Sequence, residues 1–505
     1  MNTKFQKAFL AALAILAAGG SQAKASYFTP GDLLVSSATY AGDSNTISIG
    51  DPLPVAGGAS AIANGQYFQV FNNDTPDANF GITAPITISQ LTTAGTDTGL
   101  DITVPTNDLV TSFSSKSELA LNLSSDNSAI TFMGYDAPVN AIDVSNADTP
   151  GVAGNGSTAT PTYRAIEQLN ADGSFSAPTL VNTYAGNNGR AAILAGGNYY
   201  TVGNSGATAT NAFNTGVQIV TPGGTAGSNS ASLGTFVYPG DKTTKIGKDN
   251  NFRGETVYNN TLFITKGSGS NGADTVYQVG AAGTLPTGTN NTISILPGFD
   301  TTSAKTTNSA LYHPFGLWFA NATTLYVSDE GDGVLANITN GTGFNQYAGL
   351  EKWSLNSGTW HMDYVLTNGL NLGQSYTVSG TSGGVFGNYT TATDGLRQIS
   401  GTTNADGTVS IYAITSTAST QDGTNNSVDE GTDPNKLVAI TDVLADTNAS
   451  DVTAESFANL QTANYGQVLR GVTFTPQAVP EPSTWALLGL SALAGLFFVR
   501  NRKRA

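Results

Sequence analysis

One stretch of the chain sets the fold: Phe315-Gly-Leu-Trp-Phe-Ala-Asn-Ala-Thr-Thr-Leu-Tyr-Val-Ser328. Aromatic and β-branched residues lie on both sides of Asn321, a residue type that tolerates turn conformations, and this is the pattern of two strands joined by a tight turn. The same unit recurs at residues 119–133, 190–202 and 253–265, and at 396–400 with 409–414 across a longer turn. A repeated strand–turn–strand unit predicts a repeat protein built of β-sheets.

Further strands follow these hairpins. Residues 274–279 are followed by 292–296, and residues 350–355 by 361–366, each pair joined through a turn that contains glycine. Four antiparallel strands per unit form the blade of a β-propeller. No amphipathic helix of convincing length occurs between Tyr27 and Ala478, so we predict a single all-β body over residues 26–478.

The two ends of the body are predicted to complete one blade. Val468-Leu-Arg-Gly-Val-Thr-Phe-Thr475 is typical of the first strand of a unit, and Gly31-Asp-Leu-Leu-Val-Ser36 is typical of its missing second strand. Pairing them would close the ring and remove the exposed sheet edges of an open array. Counting this composite blade predicts six blades, with seven as the alternative because the interval from Ala38 to Lys116 is wide enough for another. A β-helix or a β-sandwich is the competing architecture.

The N-terminus carries the pattern of a secretory signal peptide. Lys4 and Lys7 form a basic region, residues 8–18 are apolar, and Ala23-Lys24-Ala25 is an A-x-A cleavage site before Ser26. We therefore expect residues 1–25 to direct the chain to the Sec export machinery and to be removed by signal peptidase.

The C-terminus has three parts in a fixed order. Val479-Pro480-Glu481-Pro482-Ser483 is followed by the apolar residues 484–499 and then by the basic Arg500-Asn501-Arg502-Lys503-Arg504. The apolar run spans roughly 24 Å as a helix, which is short of the ~30 Å hydrocarbon core and makes a marginal membrane anchor. This arrangement, residues 479–505, closely resembles the PEP-CTERM sorting signal of Gram-negative bacteria. The resemblance implies transient anchoring in the inner membrane and cleavage near the Pro-Glu-Pro tripeptide by an exosortase, followed by attachment at the cell surface or release. An ordinary C-terminal membrane anchor is the alternative.

Charge and cysteine content exclude several classes of function. Without the signal peptide and the tail, 13 basic and 35 acidic residues remain, which gives a net charge of −22. Such a surface repels nucleic acid and anionic polysaccharide and attracts divalent cations. The chain has no cysteine, so the hydrophobic core of an exported body must supply its stability without disulfides.

An arginine recurs at the start of the first strand of four units. The four residues are Arg190, Arg253, Arg397 and Arg470, with Glu255 close by in the chain. If these strands line the channel, the guanidinium groups would face inward or towards one mouth and could bind a carboxylate or phosphate ligand in a bidentate manner. The alternative is architectural: each arginine would join neighbouring blades by binding backbone carbonyls or an aspartate.

Two acidic loops are candidate cation sites. Ser328-Asp329-Glu330-Gly331-Asp332-Gly333 places three carboxylates within four residues, and such hard oxygen ligands suit calcium, although other segments or water would have to complete its six to eight ligands. We therefore take Asp329, Glu330 and Asp332 as a candidate calcium site. Asp422, Asp429, Glu430 and Asp433 form the second loop, which is more typical of a solvated insertion.

Catalytic signals are sparse. The two histidines, His313 and His361, exclude a multi-histidine zinc site, and no G-x-S-x-G elbow is evident near either. Pro314-Phe-Gly-Leu-Trp-Phe with Leu325-Tyr-Val-Ser-Asp-Glu resembles the blades of NHL, lactonase-like and phytase-like propellers, a fold that hosts enzymes, sugar binders and scaffolds alike.

We therefore predict a cell-surface or extracellular-matrix protein, such as one of a biofilm matrix, whose body binds other matrix components without catalysis. A calcium-dependent extracellular hydrolase is the first alternative, with His313 or Glu255 as general acid or base. A structural surface-layer component is the second.

Overall fold

The computed structural model describes residues 27–42, 45–77, 80–114, 118–154, 156–204, 216–235, 251–268, 272–302, 304, 312–338, 346–420 and 430–478. Within these residues the chain forms six β-sheets arranged as the blades of a propeller, as predicted. The described residues contain two short helices, a 3-10 helix at Gln69–Asp74 and α1 at Leu335–Ile338.

The first half of the sheet structure contains these strands, in chain order: β1 (Leu33–Thr39), β2 (Thr83–Ala84), β3 (Ile86–Leu91), β4 (Asp97–Thr103), β5 (Thr111–Ser112), β6 (Asn122–Leu123), β7 (Ala129–Tyr135), β8 (Arg164–Asn170), β9 (Thr179–Val181), β10 (Gly189–Ala195), β11 (Asn198–Gly203), β12 (Val217–Val220), β13 (Ser230–Ser232) and β14 (Gly234–Thr235). The second half contains β15 (Glu255–Tyr258), β16 (Thr261–Lys266), β17 (Thr275–Val279), β18 (Asn291–Ile295), β19 (Pro314–Asn321), β20 (Thr324–Asp329), β21 (Gly349–Asn356), β22 (Thr359–Leu366), β23 (Ser375–Ser382), β24 (Val385–Thr403), β25 (Thr408–Ser419), β26 (Lys436–Val443), β27 (Ala458–Thr462) and β28 (Gln467–Phe474).

Each blade is an antiparallel sheet whose first strand lies at the channel. From the channel outwards, the orders are β28-β1-β3-β4 in blade 1, β6-β7-β8-β9 in blade 2, β10-β11-β12-β13 in blade 3, β15-β16-β17-β18 in blade 4, β19-β20-β21-β22 in blade 5 and β24-β25-β26-β27 in blade 6. The six first strands contact one another in a closed cycle, β28 to β6, β10, β15, β19, β24 and back to β28. This cycle is the wall of the central channel. Three short additions lie outside it: β14 pairs with β18, β23 with β24, and β2 with β5.

The ring is closed by the two ends of the body. β1 pairs antiparallel with β28, in a register that runs from Leu33 opposite Phe474 to Thr39 opposite Gln467, with one irregularity between Ser36 and Ser37. The predicted composite blade is therefore confirmed. Because the two strands come from opposite ends of the body, unzipping them would expose two sheet edges at once.

A recurring hydroxyl group joins neighbouring blades. On the second strand of four blades, a serine or threonine donates a hydrogen bond to a backbone carbonyl in the channel-lining segment of the next blade. The four contacts are Ser36 to Leu119 (2.8 Å), Thr131 to Ala192 (2.6 Å), Thr265 to Phe315 (2.5 Å) and Ser328 to Arg397. Between blades 6 and 1, Asn435 exchanges two hydrogen bonds of 2.8 Å with the backbone of Leu469. The abundant Ser, Thr and Asn of the sequence thus include residues that hold the ring together.

Hydrophobic clusters fill the spaces between blades. One cluster joins Ala191 and Ile193 of blade 3 to Leu262 and Ile264 of blade 4, and another joins Leu34 of blade 1 to residues of blade 2. Burial of this apolar surface is the main source of stability in a chain without disulfides.

The wide interval between β1 and blade 2 contains two blade strands and an aromatic insertion. β3 and β4 complete blade 1, and the 3-10 helix carries Phe71 into a cluster with Tyr67, Phe113, Tyr389 and Tyr465. No further four-stranded sheet occurs among the described residues, so the structure has six blades and not the alternative of seven.

Candidate functional site

Two cavities lie along the axis of the ring. The mouth cavity, at the end where the first strands begin, has a volume of about 330 Å³, and its charged lining residues are Arg253, His313, Glu330, Asp332, Asp394 and Arg397. The channel cavity, of about 300 Å³, is lined by residues from all six blades, among them Leu121, Ala191, Glu255, Trp318, Gln398 and Phe474. None of the described residues lines both cavities.

Glu330 links two of the predicted arginines. Its Oε1 lies 3.2 Å from Nε of Arg253, and its Oε2 accepts a hydrogen bond of 3.0 Å from Nε of Arg397. Arg253 also donates from Nη2 to Ser268 Oγ at 2.7 Å. The side chains of the three charged residues are only 7 to 15% exposed. Both carboxylate oxygens of Glu330 therefore bind guanidinium groups, and this nearly buried cluster joins blades 4, 5 and 6.

The other two predicted arginines bind the backbone. Arg190 donates to the carbonyl of Phe252 at 2.8 Å and to the side chain of Asn251, and Arg470 donates to the carbonyl of Gly431 at 2.7 Å. Both are buried, and burial followed by the nearby charge of Arg253 lowers the pKa of Arg190. Neither lines the mouth cavity, and each joins two segments that are distant in the chain.

The predicted calcium loop is held by its own hydrogen bonds. Asp329 is fully buried, and its two oxygens accept backbone N–H groups from His313 at 2.6 Å and Gly331 at 2.9 Å. Asp332 accepts hydrogen bonds from the N–H of Val334 at 2.9 Å and from the side-chain amide of Asn337, the third residue of α1. Among the residues that the structure describes, no three His, Cys, Asp or Glu side chains are grouped so that they could hold a metal ion. The calcium site stays a prediction, and a melting experiment described below tests it.

Asp394 is a mouth residue that sequence reasoning missed. Burial raises its pKa well above the usual range, although the Gly333 N–H, which donates to it at 2.6 Å, acts in the opposite direction. Burial likewise raises the pKa of Asp329, and His313 opposes that shift. Asp394 lies within the long strand β24 and has no acidic neighbour in the sequence, so no local pattern marked it.

Glu255 lies apart from these groups, in the wall of the channel cavity. It is 4% exposed, and neither of its carboxylate oxygens has a hydrogen-bond partner among the described residues. Burial alone raises its pKa well above the usual range. The structure therefore separates Glu255 from the arginines with which the sequence grouped it.

Gln398, the residue after Arg397, crosses from blade 6 to blades 1 and 2. Its Oε1 accepts the N–H groups of Leu121 at 2.8 Å and Val472 at 3.0 Å, and its Nε2 donates to the carbonyl of Leu121. The amide of Gln398 is thus committed to holding three blades together.

One further buried charge, that of Arg164, was not predicted. Arg164 is completely buried and donates to the carbonyls of Ser145, Ala147, Thr162 and Asn187. It lies on the third strand of its blade, outside the recurring arginine position, so the repeat did not indicate it.

The second acidic loop is only partly described. Asp422 and Asp429 lie outside the described residues, whereas Glu430 and Asp433 are buried. Asp433 accepts hydrogen bonds from Tyr389 at 2.6 Å and Thr391 at 3.1 Å. Asp433 therefore has a structural role, and because both residues are buried, the expectation of a solvated insertion is wrong for them.

The predicted signal peptide, with Ala23, Ala25 and Ser26, and the predicted sorting segment from Val479 onwards lie outside the described residues. Within the described ranges, no helix is long and apolar enough to cross a membrane.

Residues 478–503 match the family model of the PEP-CTERM protein-sorting motif. The chain ends in a PEP-CTERM sorting motif. This finding confirms the resemblance seen in the sequence, and it indicates an exported protein that is processed at the membrane. PEP-CTERM motifs imply recognition by an exosortase.

Comparison with whole proteins gives only distant likeness. No curated protein matches the chain. Among solved structures, a nidogen/laminin complex is similar at 12% identity over 79% of this chain and 98% of that chain, with a TM-score of 0.33. A quinonprotein alcohol dehydrogenase-like protein from Bacteroides thetaiotaomicron is similar at 10% identity over 78% of this chain and 85% of that chain, with a TM-score of 0.29.

Proposed function

We propose that this chain is an exported, non-catalytic propeller that binds components of the cell surface or extracellular matrix after an exosortase has processed its tail. The Sec machinery and signal peptidase would act first at residues 1–25, and the apolar segment within residues 479–505 would anchor the precursor until cleavage. The body, residues 26–478, would then be attached at the surface or released. The PEP-CTERM match supports the export and processing steps.

The binding proposal rests on one observation: the charged groups near the mouth are engaged with other groups of the protein. Glu330 forms ion pairs with both Arg253 and Arg397, while Arg190 and Arg470 bind backbone carbonyls. Groups arranged in this way hold the junctions between blades together. Among the described residues that line the mouth cavity, the hydroxyl of Ser268 accepts hydrogen bonds from Arg253 and Asn251 and is not paired with the base that a hydrolase of the serine type needs. The acidic body further favours neutral or cationic partners over nucleic acid or anionic polysaccharide.

Processing is tested by replacing Pro480 and Pro482 with alanine in the full chain expressed in its host. We expect the uncleaved precursor to accumulate in the membrane fraction, measured by intact mass and fractionation. A control variant, Pro476→Ala, lies before the matched motif and should be processed normally. Normal cleavage of the double variant would overturn the sorting step.

Binding is tested by sedimentation of the secreted protein with extracellular matrix isolated from the same host. We expect saturable co-sedimentation that His313→Ala and Asp394→Asn leave unchanged, because these residues belong to the catalytic alternative. Absence of saturable binding would overturn the scaffold proposal.

A second candidate, a calcium-dependent hydrolase, is supported by one observation: His313, Glu330, Asp332 and Asp394 line a single cavity. In that case His313 would act as general acid or base beside the metal. Against it, the oxygens of Glu330 and Asp332 already accept hydrogen bonds from protein groups. This candidate would be favoured if the unmodified chain hydrolysed an ester or glycoside substrate and His313→Ala did not. The activity of the unmodified chain should also be lost in chelator and return only when calcium is added.

A further inference from the structure

The outer edge of each blade has a feature that hinders pairing with another strand. The last strand of blade 1 carries Asp97 and Asp101, and that of blade 5 carries His361 and Asp363. Blades 2 and 3 end in strands of three residues, β18 of blade 4 is paired in part with β14, and β27 of blade 6 meets the β3–β4 turn of blade 1 at Leu460. Charges, short strands and covering segments are the usual ways in which a protein keeps its sheet edges from pairing with other chains.

β23 is an edge strand without such protection. It has eight residues, and among the described strands it pairs with β24 alone. The chain has no charged residue between Asp363 and Asp394, so β23 and the part of β24 that pairs with it carry no charge. Gly383 and Gly384 have φ angles of 58° and 79° and join the two strands in a two-residue turn. The result is an uncharged hairpin with one free edge.

The register of the hairpin shows which backbone groups of β23 point away from β24. Ser382 and Val385 flank the turn as a pair. The direction of the N–H and C=O groups alternates along a strand, so Thr377, Ser379 and Thr381 direct theirs to the free edge. Within the described part of the chain, no hydrogen bond joins the backbone of these three residues to a group outside the hairpin. All three residues are exposed, so the edge is open to another strand.

The opposite face of the hairpin is fixed to the body. Tyr465 lies against it where two glycines leave room: a Cβ atom at Gly380 would be 2.8 Å from Cβ of Tyr465, and one at Gly387 would meet its hydroxyl group. Ser382 donates a hydrogen bond to the carbonyl of Tyr40 at 3.1 Å. The free edge is therefore held in one position, which reduces the conformational entropy lost on pairing.

The chemistry of this edge favours a second copy of the chain over another partner. Each body has a net charge of −22, so two copies repel one another, and this repulsion is weakest where the surface is uncharged. A cationic partner would instead be attracted to the acidic parts of the surface. Antiparallel pairing about a two-fold axis lets one edge serve both copies. Ser379 then lies opposite Ser379 of the second copy and Thr377 opposite its Thr381, and such hydroxyl pairs stabilise antiparallel sheets.

We propose that the chain forms a two-fold dimer in which β23 of one copy pairs antiparallel with β23 of a second copy. Three residue pairs exchange about six backbone hydrogen bonds, and the two hairpins become one four-stranded sheet of order β24-β23-β23-β24. The dimer does not depend on the binding proposal, because it uses no residue that lines the mouth cavity or the channel cavity.

The test is sedimentation equilibrium of the full chain, in mild detergent, at increasing protein concentration. We expect a reversible equilibrium between monomer and dimer. Ser379→Lys places two ammonium groups opposite each other and should raise the dissociation constant about tenfold or more. Asn388→Lys adds the same charge on the same face but one strand away from the edge, and it should not raise the dissociation constant. Because an added lysine reduces the net charge of the body, a general effect of charge would strengthen association in both variants.

A cysteine cross-link tests the register of the dimer. The chain has no cysteine, so Ser379→Cys introduces a single thiol. In the dimer the two Cα atoms of this residue lie roughly 5.5 Å apart, within the range of a disulfide, and we expect diamide to produce a covalent dimer on denaturing electrophoresis. Asn388→Cys lies about 14 Å from its counterpart, three strand spacings away, and should stay uncross-linked.

Several outcomes would overturn the proposal. A chain that is monomeric at every concentration, a dimer unaffected by Ser379→Lys, or equal cross-linking of the two cysteine variants would each exclude pairing through β23. Matrix binding by a monomeric chain that is lost in Ser379→Lys and kept in Asn388→Lys would assign the edge to a strand of another protein. A dimer that behaves as expected but does not bind matrix would support the pairing and overturn the binding proposal alone.

Discussion

The mouth cavity and the channel cavity are lined by residues that are neighbours in the sequence, and yet their charged groups differ in whether they are paired. At the mouth, Arg253 and Arg397 share Glu330. One or two residues further along the same strands, the channel contains Glu255 without a hydrogen-bond partner among the described residues, and a glutamine whose amide is fully engaged. Side chains at the mouth therefore pair opposite charges between blades, whereas the carboxyl group of Glu255 is buried without such a partner among the described residues.

The difference follows from what each position can reach. Groups at the mouth lie beside the ends of second strands, from which Glu330 extends, so opposite charges from different blades meet. Glu255 lies between first strands, whose backbone groups are engaged within their own sheets and whose side chains are mostly apolar or small. Breaking a buried ion pair from one side is costly, whereas a buried carboxyl group without a counter-ion is favoured in its neutral form.

The largest effect expected is the loss of both cavities when the ring is opened. Deleting residues 465–476 removes β28, which carries Arg470 to its hydrogen bond with Gly431 and Phe474 to the channel cavity, and it leaves β1 without its inner partner. We expect the whole body to unfold as one unit, so that no cooperative transition near the original melting temperature remains in calorimetry. Shortening the exposed loop at residues 446–449, as a control, should leave the transition in place. An undisturbed transition in the deletion variant would refute closure through blade 1.

The mouth is tested next by Glu330→Ala. This change leaves two nearly buried guanidinium groups without their carboxylate, and breaking such a cluster from one side costs about 3 kcal/mol or more of unfolding free energy. Denaturant unfolding measures the loss, and Asp101→Ala on the exposed face of β4 is the control. A loss below about 1 kcal/mol would place the cluster among weak surface ion pairs and would remove the contrast with the channel.

Much of the fold was predictable because its signals are local. In the hairpin Phe315 to Ser328, strand residues and a turn asparagine are adjacent in sequence, and the half-units at the two ends had only each other as partners. The aromatic insertion was not predictable, since Tyr67 and Phe71 find Tyr389 and Tyr465 several hundred residues away. A local pattern contains no information on such contacts.

The candidate site was predictable only in position. Recurrence placed Arg253 and Arg397 at one mouth, but the sequence did not indicate that Glu330 would bind both, because the three residues belong to three blades. The sequence also grouped Glu255 with the arginines, although Glu255 lies two residues further along the chain than Arg253 and lines the channel cavity instead of the mouth cavity. Asp394 and Arg164 had no repeat or motif to mark them.

The channel is tested by the pH dependence of stability. The pKa of Glu255 is raised in the folded state above its usual value of 4.5, so the folded chain binds more protons than the unfolded chain, and stability is lost as pH rises from about 4.5 towards the raised pKa. Glu255→Gln removes this dependence. We expect the variant to gain stability relative to the unmodified chain as pH increases, by at most about 1.4 kcal/mol per pH unit, measured by denaturant unfolding between pH 4 and about pH 8. A constant difference across this range would mean that Glu255 is ionised in the folded chain and paired with a group already present.

The smallest effect is expected from calcium at the mouth. Asp329 accepts two backbone N–H groups, Glu330 binds two arginines, and Asp332 accepts from Val334 and Asn337. A calcium ion would therefore have to displace existing hydrogen bonds to gain its first three ligands. We therefore expect the melting temperature in calcium and in chelator to agree within about 1 °C, since an ion that does not bind the folded state cannot stabilise it. Magnesium at the same concentration controls for screening of the acidic surface. A saturable rise of the melting temperature with calcium alone, lost in Asp332→Asn, would show that these carboxylates exchange their hydrogen-bond partners within the protein for a metal ion. The calcium-dependent hydrolase would then be the favoured candidate.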